Sequence, residues 1–594
     1  MEPYANIYSY DEQQERMDND VVINVKDLKV WTPEEKSWWS RKATKHKTVI
    51  LSEVTGCIRR NEFAAVIGPS GAGKTTFLVS LAGKCTLPTS GTVTLFGRNA
   101  KDCPGLAEIV PQMEVFMAGL SVMEHLVFMT EMKLGTCKEP HILRTLNVLV
   151  EELKLKSHRH TPVEALSGGE KKLLSLATSL LSDPRILICD EPTTGLDSYN
   201  ALLVIGVLKR LALGGKVVLC SIHQPSCDIF KEFSSVLLMT EGRLLFHGTQ
   251  DECEEVFESI DLHCPLKYNP AEFYIRAVSG NSDNVQRLLS LSERRSDVIA
   301  VNIVEQIFCK TTQRNWFQQV HLLLWRLSLT MKRGLWNQII QLFISVVITA
   351  MVLAVAYAGA SGTTQRGVQD VRGLIWLITS EVSFGLSYSA LYAFENELPL
   401  FKREVGIYKC SAYFVSRFLS FVPRCIVWPV TLVTVTSLAV DLPNHMLTAF
   451  EFMVTLCIST IPGVAYGLGM AALFTSTGIM GDVMPCVDLP LFLMSGAFLR
   501  ISSLPGWMNT VKYISHFYYA MDAMSNVYWR QIDHIDCPSN QTSCVKDGAA
   551  VLFENGYSED FIVQDILGVV FVTLFWSLLG YYGLKREEKK GYAY

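Results

Sequence analysis

The stretch Val66-Ile67-Gly68-Pro69-Ser70-Gly71-Ala72-Gly73-Lys74-Thr75-Thr76-Phe77-Leu78-Val79-Ser80 decides how this chain is read. Residues 68–75 fit the pattern G-x-x-x-x-G-K-[ST]. The apolar run 63–67 before it reads as a buried strand, and Phe77, Leu78 and Leu81 after it fall at helical spacing. Glycines let such a strand-to-helix turn point its backbone N–H groups inward around phosphate oxygens, and the helix N-terminus adds positive potential. In that setting Lys74 reaches the β- and γ-phosphates and the Thr75 hydroxyl ligates Mg²⁺, with Thr76 beside it in the first helical turn. The sequence predicts an α/β P-loop domain that binds a nucleoside triphosphate.

The chain has 594 residues, enough for several domains, and is 49% hydrophobic and 19% charged. The apolar excess lies in the second half, where runs long enough to cross a bilayer recur. A formal net charge of −5 leaves no basic footprint for nucleic acid. Residues 1–20 are polar and acidic and read as a disordered tail, without the apolar core of a signal peptide. The 16 cysteines are scattered as in a reduced compartment, except for the close pair Cys537 and Cys544.

Residues 21–30 alternate apolar and polar and read as an edge strand; 48–51 read as a second strand. Thr48, Val49 and Ile50 offer no aromatic ring to stack on a base. Residues 93–96 form a further strand, and Ile109-Val110-Pro111-Gln112 ends one with a Gln placed to reach a metal and an attacking water. Residues 120–130 and 142–155 have helical periodicity. Leu166-Ser167-Gly168-Gly169-Glu170 opens a helix, a second anion-binding end. The run Ile186-Leu187-Ile188-Cys189-Asp190-Glu191 is an apolar strand ending in two acids. There Asp190 suits ordering of Mg²⁺ and Glu191 suits polarisation of water. A turn containing Asp197 follows, then the strand 217–221, with His223 just past it where the γ-phosphate is expected.

Together these elements resemble the nucleotide-binding domain of ABC transporters. Walker A (68–75), the Gln loop (Gln112), the LSGG signature (Leu166 to Gly169), Walker B with Glu191, the Asp loop (Asp197) and the switch His223 occur in that order. The resemblance implies that two such domains sandwich two ATPs head to tail, each between Lys74 of one chain and Ser167 and Gly168 of the other. One set of motifs is present, which implies a half-transporter that dimerises with a second copy or with a partner subunit. Asn269-Pro270-Ala271-Glu272-Phe273, and the order of nucleotide domain before membrane domain, resemble the G subfamily, the White and sterolin type.

The expected organisation is a nucleotide domain over 21–278, a linker and amphipathic connecting helix over 279–335, and an all-α membrane domain over 336–594. Trp316, Val320, Leu323, Leu324 and Leu327 recur at helical spacing, as on a helix lying along the interface. Six spans are expected at 338–358, 374–394, 417–440, 446–473, 483–499 and 561–582. Basic residues at Lys332 and Arg333, from Lys402 to Arg417 and from Lys585 to Lys590 place both ends and the second interspan loop inside. Residues 397–423 resemble the intracellular loop that contacts the nucleotide domain in that subfamily.

The loop 502–560 then falls outside, with an aromatic, helical 505–528 part. There Cys537 and Cys544 flank the sequon Asn540-Gln541-Thr542, so a glycan and a disulfide are expected. Relatives carry a third loop cysteine that bridges subunits; this loop has two, so no such bridge is expected. The resemblance also places a substrate cavity on the dimer axis, lined by Phe384, Ser387 and Tyr388 of the second span and Leu491, Met494 and Phe498 of the fifth. Glu381 and Asp488 lie inside apolar spans, where an acid is costly and therefore functional or paired.

The implied activity is that of an ATPase translocase moving a lipid-like, sterol-like or amphipathic small molecule outward across the plasma membrane. The alternative is a White-like transporter carrying pigment precursors or other small aromatics into an organelle. A soluble ATPase regulator would lack the spans, and an ATP-gated channel would not need intact Lys74, Glu191 and His223.

Overall fold

The computed structural model describes residues 21–33, 35–36, 43–45, 48–134, 139–280, 282–295, 314–474, 477–496, 498, 500–503, 505–506, 510–537, 544–557 and 561–590. The chain divides into two compact units, one running to Arg314 and the other spanning Asn315–Lys590.

Among the described residues the first unit holds a six-stranded sheet, a four-stranded sheet and a short two-stranded pair, Glu35–Lys36 with Ala43–Lys45. Phe63–Ile67 is buried at every position, which suits a strand covered on both faces. It sits inside a six-stranded sheet in the order Arg243–Gly248, Ser235–Thr240, Phe63–Ile67, Val217–Ser221, Ile186–Cys189 and Ala107–Val110. The Arg243–Gly248 pairing is antiparallel and the other pairings are parallel. The second sheet is antiparallel, with Val21–Trp31 between Val49–Arg59 and Thr89–Leu95. Residues 21–30 are therefore interior to a sheet, not at its edge. Alternation reports one buried face and carries no information on how many neighbours a strand has. Helices Val122–Leu134 and Glu139–Glu152 stand where periodicity expects them, and the 279–315 region contains the helix Ser282–Arg295. Asn269 caps the helix Pro270–Val278 through its side chain, with proline in the first turn where its missing N–H costs nothing.

The second unit is helical: Trp316–Ala356, Gln365–Arg403, Cys410–Ser420, Val422–Ser437, His445–Leu473, Thr477–Leu493, His516–Trp529, Gly548–Asn555 and Phe561–Lys590. Five of these segments are long and apolar enough to cross a membrane: Ile339–Ala356, Gln365–Arg403, Cys410–Ser437, His445–Leu473 and Ile562–Lys590. The sixth expected span, 483–499, corresponds to the 17-residue helix Thr477–Leu493 with Pro485 and Pro490 inside it. At 1.5 Å per residue it is ~25 Å long, short of a ~30 Å hydrocarbon core. The amphipathic stretch from Trp316 is not a separate interfacial helix. It continues unbroken into the first span as one 41-residue helix.

The second-span helix also outruns its apolar window, reaching Arg403, because its polar end is satisfied internally. Arg417 pairs with Glu397 at 3.1 Å, and Nη1 of fully buried Arg326 donates to both Glu404 carboxylate oxygens, at 2.7 and 2.9 Å. The last span packs against His445–Leu473 through small residues. A Cβ on Gly580 would sit 3.0 Å from the Gly469 Cα, and one on Gly583 would sit 2.5 Å from the Ala472 carbonyl oxygen. Cys537 and Cys544 are joined as a disulfide. Asn540 lies outside the described residues.

Candidate functional site

Four neighbouring parallel strands deliver the sequence-derived nucleotide residues to one edge of the sheet. Phe63–Ile67 runs into the glycine loop, Val217–Ser221 leads to His223, Ile186–Cys189 ends at Asp190 and Glu191, and Ala107–Val110 leads to Gln112. Ligands of open α/β sheets sit at such carboxyl ends.

The glycine loop has the backbone that its sequence requires. Gly71 and Gly73 adopt φ of 80° and 90°, and a Cβ on Gly68 would meet the Met239 carbonyl oxygen at 2.1 Å. Gly73 hands over to the helix Lys74–Leu81. Ser70 and Gly71 are exposed at the rim; Pro69, Thr75 and Thr76 are half-buried; Ala72 is buried. The Lys74 ammonium is buried and donates to the Gly68 and Pro69 carbonyls at 2.8 and 3.0 Å. Burial holds this lysine below its ordinary range, against the pull of Glu191 and Asp190. Burial holds the Asp190 carboxyl above its ordinary range, against hydrogen bonds from Ser221 and Thr75. A buried cation bonded to neutral carbonyls, near buried Asp190 and half-buried Glu191, suits a polyphosphate accompanied by a divalent cation.

Glu191 is a strained residue with φ of 46°, outside the range that an ordinary side chain favours. Three contacts hold it. Its N–H donates to Ser221 Oγ at 2.8 Å, Gln112 Nε2 donates to its Oε2 at 2.6 Å, and Thr194 Oγ1 donates to the same oxygen at 3.0 Å. Ser221 Oγ in turn donates to Asp190 Oδ1. Lys172 donates to the Gln112 carbonyl and pairs with Glu114. Ser221, Thr194 and Lys172 carried no signal in the sequence reading. The position of Ser221 as the last residue of the strand that leads to His223 was the available clue.

Ser167 caps the helix Gly168–Leu180 in a reciprocal capping box with Glu170. Ser167 and Gly168 are exposed, while Gly169 is buried, with a Cβ there 3.0 Å from the Asn200 side chain. Asp197 caps the next helix, its Oδ1 accepting from the Asn200 N–H at 2.9 Å. His223 is exposed.

In the helical unit, Phe384, Tyr388, Phe492 and Phe517 form a ring cluster. Phe498, largely exposed, extends it through Trp376 and Phe492. Tyr388 donates to Asp488 Oδ2 at 3.0 Å, and Tyr466 donates to Oδ1, so the intramembrane acid is paired. Ser387 is buried within the one copy, its hydroxyl donating to the Ser383 and Gly463 carbonyls. Leu491 and Met494 are buried.

The family described as ABC transporter matches residues 51–194, and the ABC-2 type transporter family matches residues 318–529. The chain is 29% identical to Protein brown of Drosophila melanogaster, over 96% of this chain and 98% of that protein. It is 30% identical to Protein white of Drosophila melanogaster, over 91% of this chain and 84% of that one. It is 26% identical to ABC transporter G family member 14 of Arabidopsis thaliana, over 93% and 88%. The fold and the site thus define an ATP-binding domain followed by a helical ABC-2 membrane domain. The chain belongs to the ABC transporters, as a half-transporter of the White and G-family type. That membership implies ATP binding, and hydrolysis coupled to movement of a substrate across a membrane.

Proposed function

We propose that this half-transporter pairs with a second subunit and uses ATP, with Mg²⁺, to move a lipid-like or amphipathic compound outward, with its nucleotide domain in the cytosol. The observation that carries the catalytic part is the bonded group Gln112–Glu191–Ser221–Asp190 beside the glycine loop. In this reading Thr75, Gln112 and Asp190 would hold Mg²⁺, which would supply neutralisation of the phosphate charge. Lys74 and the backbone N–H groups of residues 70–76, with that of Gly68, bind the phosphates. Glu191 orients the attacking water, and His223 meets the terminal phosphate. Ser167 and Gly168, exposed at a helix start, complete the nucleotide site of the opposite subunit together with exposed Asp197.

The substrate part rests on the aromatic cluster around Phe384, whose ring lies 5.4 Å from Phe492 and 4.8 Å from Phe517. Such rings clamp a flat apolar molecule, each buried side chain contributing ~1.5–3 kcal/mol. The test is Phe384→Ala, with ATPase activity measured with and without substrate at equal amounts of folded dimer. The proposal expects stimulated activity to fall and basal activity to hold. Equal loss of both would assign Phe384 to packing alone.

A further inference from the structure

A cavity of about 300 Å³ lies between the helices His445–Leu473, His516–Trp529 and Phe561–Lys590, and none of its lining residues belongs to the Phe384 cluster. It is lined mostly by apolar side chains, among them Val454, Ile458, Ile566 and Val569. Into it faces Asp565, only 5% exposed, with neither carboxyl oxygen hydrogen-bonded. Glu451 lines the same cavity, half-buried, and no Lys, Arg or His is among the lining residues. Asp522 adds negative potential from the facing helix but is itself engaged, accepting from Asn526 Nδ2 at 2.7 Å and Tyr518 Oη at 3.1 Å. The Tyr519 hydroxyl is likewise spent, donating to the Tyr513 carbonyl at 2.8 Å. The Lys512 ammonium, seated over the rings of Tyr513 and Tyr518, is not among the lining residues.

A buried carboxyl with no partner is expensive, and in an apolar span it marks a place where something else supplies the partner. A neutral sterol or alcohol could fill the apolar walls but would leave Asp565 without a cation. A bare metal cation would need several oxygen ligands, and the apolar majority of the wall supplies none. One chemistry answers both halves of the wall: an ammonium group on an alkyl or aromatic tail. The placement agrees. Asp565 lies one turn into its helix, ~6 Å along the axis, and Glu451 lies close to the start of the helix that begins at His445. Both acids therefore stand towards the starts of their helices, with Val454, Ile458, Ile566 and Val569 further along them. Ile458, Ile562 and Ile566 are 42%, 57% and 50% exposed, so the cavity opens sideways towards lipid.

We propose that this cavity is a lateral binding site for a cationic amphiphile, its ammonium held by Asp565 and Glu451 and its tail lying along Val454, Ile458 and Val569. The site stands independently of the substrate reading above, since it shares no residue with the Phe384 cluster. A single-chain membrane amine and a soluble amine drug-like compound share this chemistry.

The experiment uses the full chain purified in detergent, with native mass spectrometry counting retained decylamine, decanol, decanoate and methylamine. The expected result is retention of decylamine at concentrations where decanol and decanoate are not retained. Asp565→Asn, which keeps the shape and removes the charge, is expected to weaken decylamine retention at least tenfold. Ile458→Trp, which fills the cavity, is expected to remove it. Methylamine competing as well as decylamine would assign the site to soluble amines; failure of methylamine to compete assigns it to amphiphiles drawn from the membrane, as proposed. Equal retention of decylamine and decanol by the unmodified protein would overturn the proposal, as would an Asp565→Asn protein within twofold of it. If that variant does not fold, the amine-to-alcohol ratio on the unmodified protein decides alone.

Discussion

Replacing Ser221 by alanine removes two hydrogen bonds that together hold both acids of the candidate catalytic pair. Ser221 is fully buried; its hydroxyl donates to the Asp190 carboxylate and accepts the Glu191 N–H at 2.8 Å. A hydrogen bond to a charged group contributes ~1.5–3 kcal/mol. Glu191 needs that restraint more than most residues do, since its φ of 46° is held against a more favourable conformation. If the loss falls on the transition state, kcat should drop by roughly tenfold to 150-fold, at about 1.4 kcal/mol per factor of ten. Ser221 touches neither nucleotide nor water in this account, so it acts by positioning. The KM for ATP should therefore change little, because Lys74 and the glycine loop are untouched. Steady-state ATPase assays on the assembled dimer give both constants. Ser221→Thr restores the hydroxyl and should recover much of the rate, despite an added methyl in a full site. A kcat within twofold of the unmodified protein, or a loss confined to KM, would refute the reasoning.

Further outcomes follow from the same contacts. Glu191→Gln should retain ATP binding and lose turnover by ~10²–10⁴-fold, measured as phosphate release against bound nucleotide. Glu108 is held down to about 2 by Lys133 and Lys84, at 2.6 and 2.7 Å, which outweigh its burial. Because its folded value lies below the unfolded one, its stabilising effect is complete above about pH 4.5 and is lost as pH falls towards 2. Glu108→Gln should accordingly cost ~3–5 kcal/mol of stability at pH 7, read as a lower melting temperature, and flatten the fall of that temperature between about pH 4.5 and 2. Asn540→Gln should abolish a glycosidase-sensitive mobility shift, and thiol labelling of Cys537 and Cys544 should require prior reduction; labelling without reductant would count against an oxidising outer loop.

Much of the nucleotide unit was legible because its chemistry is local in sequence. The glycine loop, Gln112, the signature helix, Asp190 with Glu191, and His223 each sit one or two residues beyond a strand or at a helix start, where spacing fixes them. Ser221 was hidden because its value comes from Asp190 and Glu191 on the neighbouring strand, and a terminal serine has no pattern of its own. The interior place of Val21–Trp31 was hidden for a related reason: its two neighbours lie at Val49–Arg59 and Thr89–Leu95. In the helical unit the apolar windows found five spans, but not their ends, and overstated the sixth. Gln365–Arg403 and Trp316–Ala356 run on through polar residues whose charges meet across helices, as Arg326 meets Glu404. Asp565 drew no notice in the sequence, since its cavity is assembled from three helices distant in the chain.

The central claim is that each nucleotide site is shared between two chains. Lys74→Ala alone should silence both sites of a dimer, and so should Ser167→Arg alone. Co-expression with different tags yields a mixed dimer in which both lesions fall on one site and the other site is whole. ATPase activity of that doubly purified mixed dimer is the direct measurement. The account predicts that activity reappears, at about half the unmodified level if the two sites turn over independently. A mixed dimer as inactive as its two parents would contradict it, because that is the outcome expected when each chain builds its site alone.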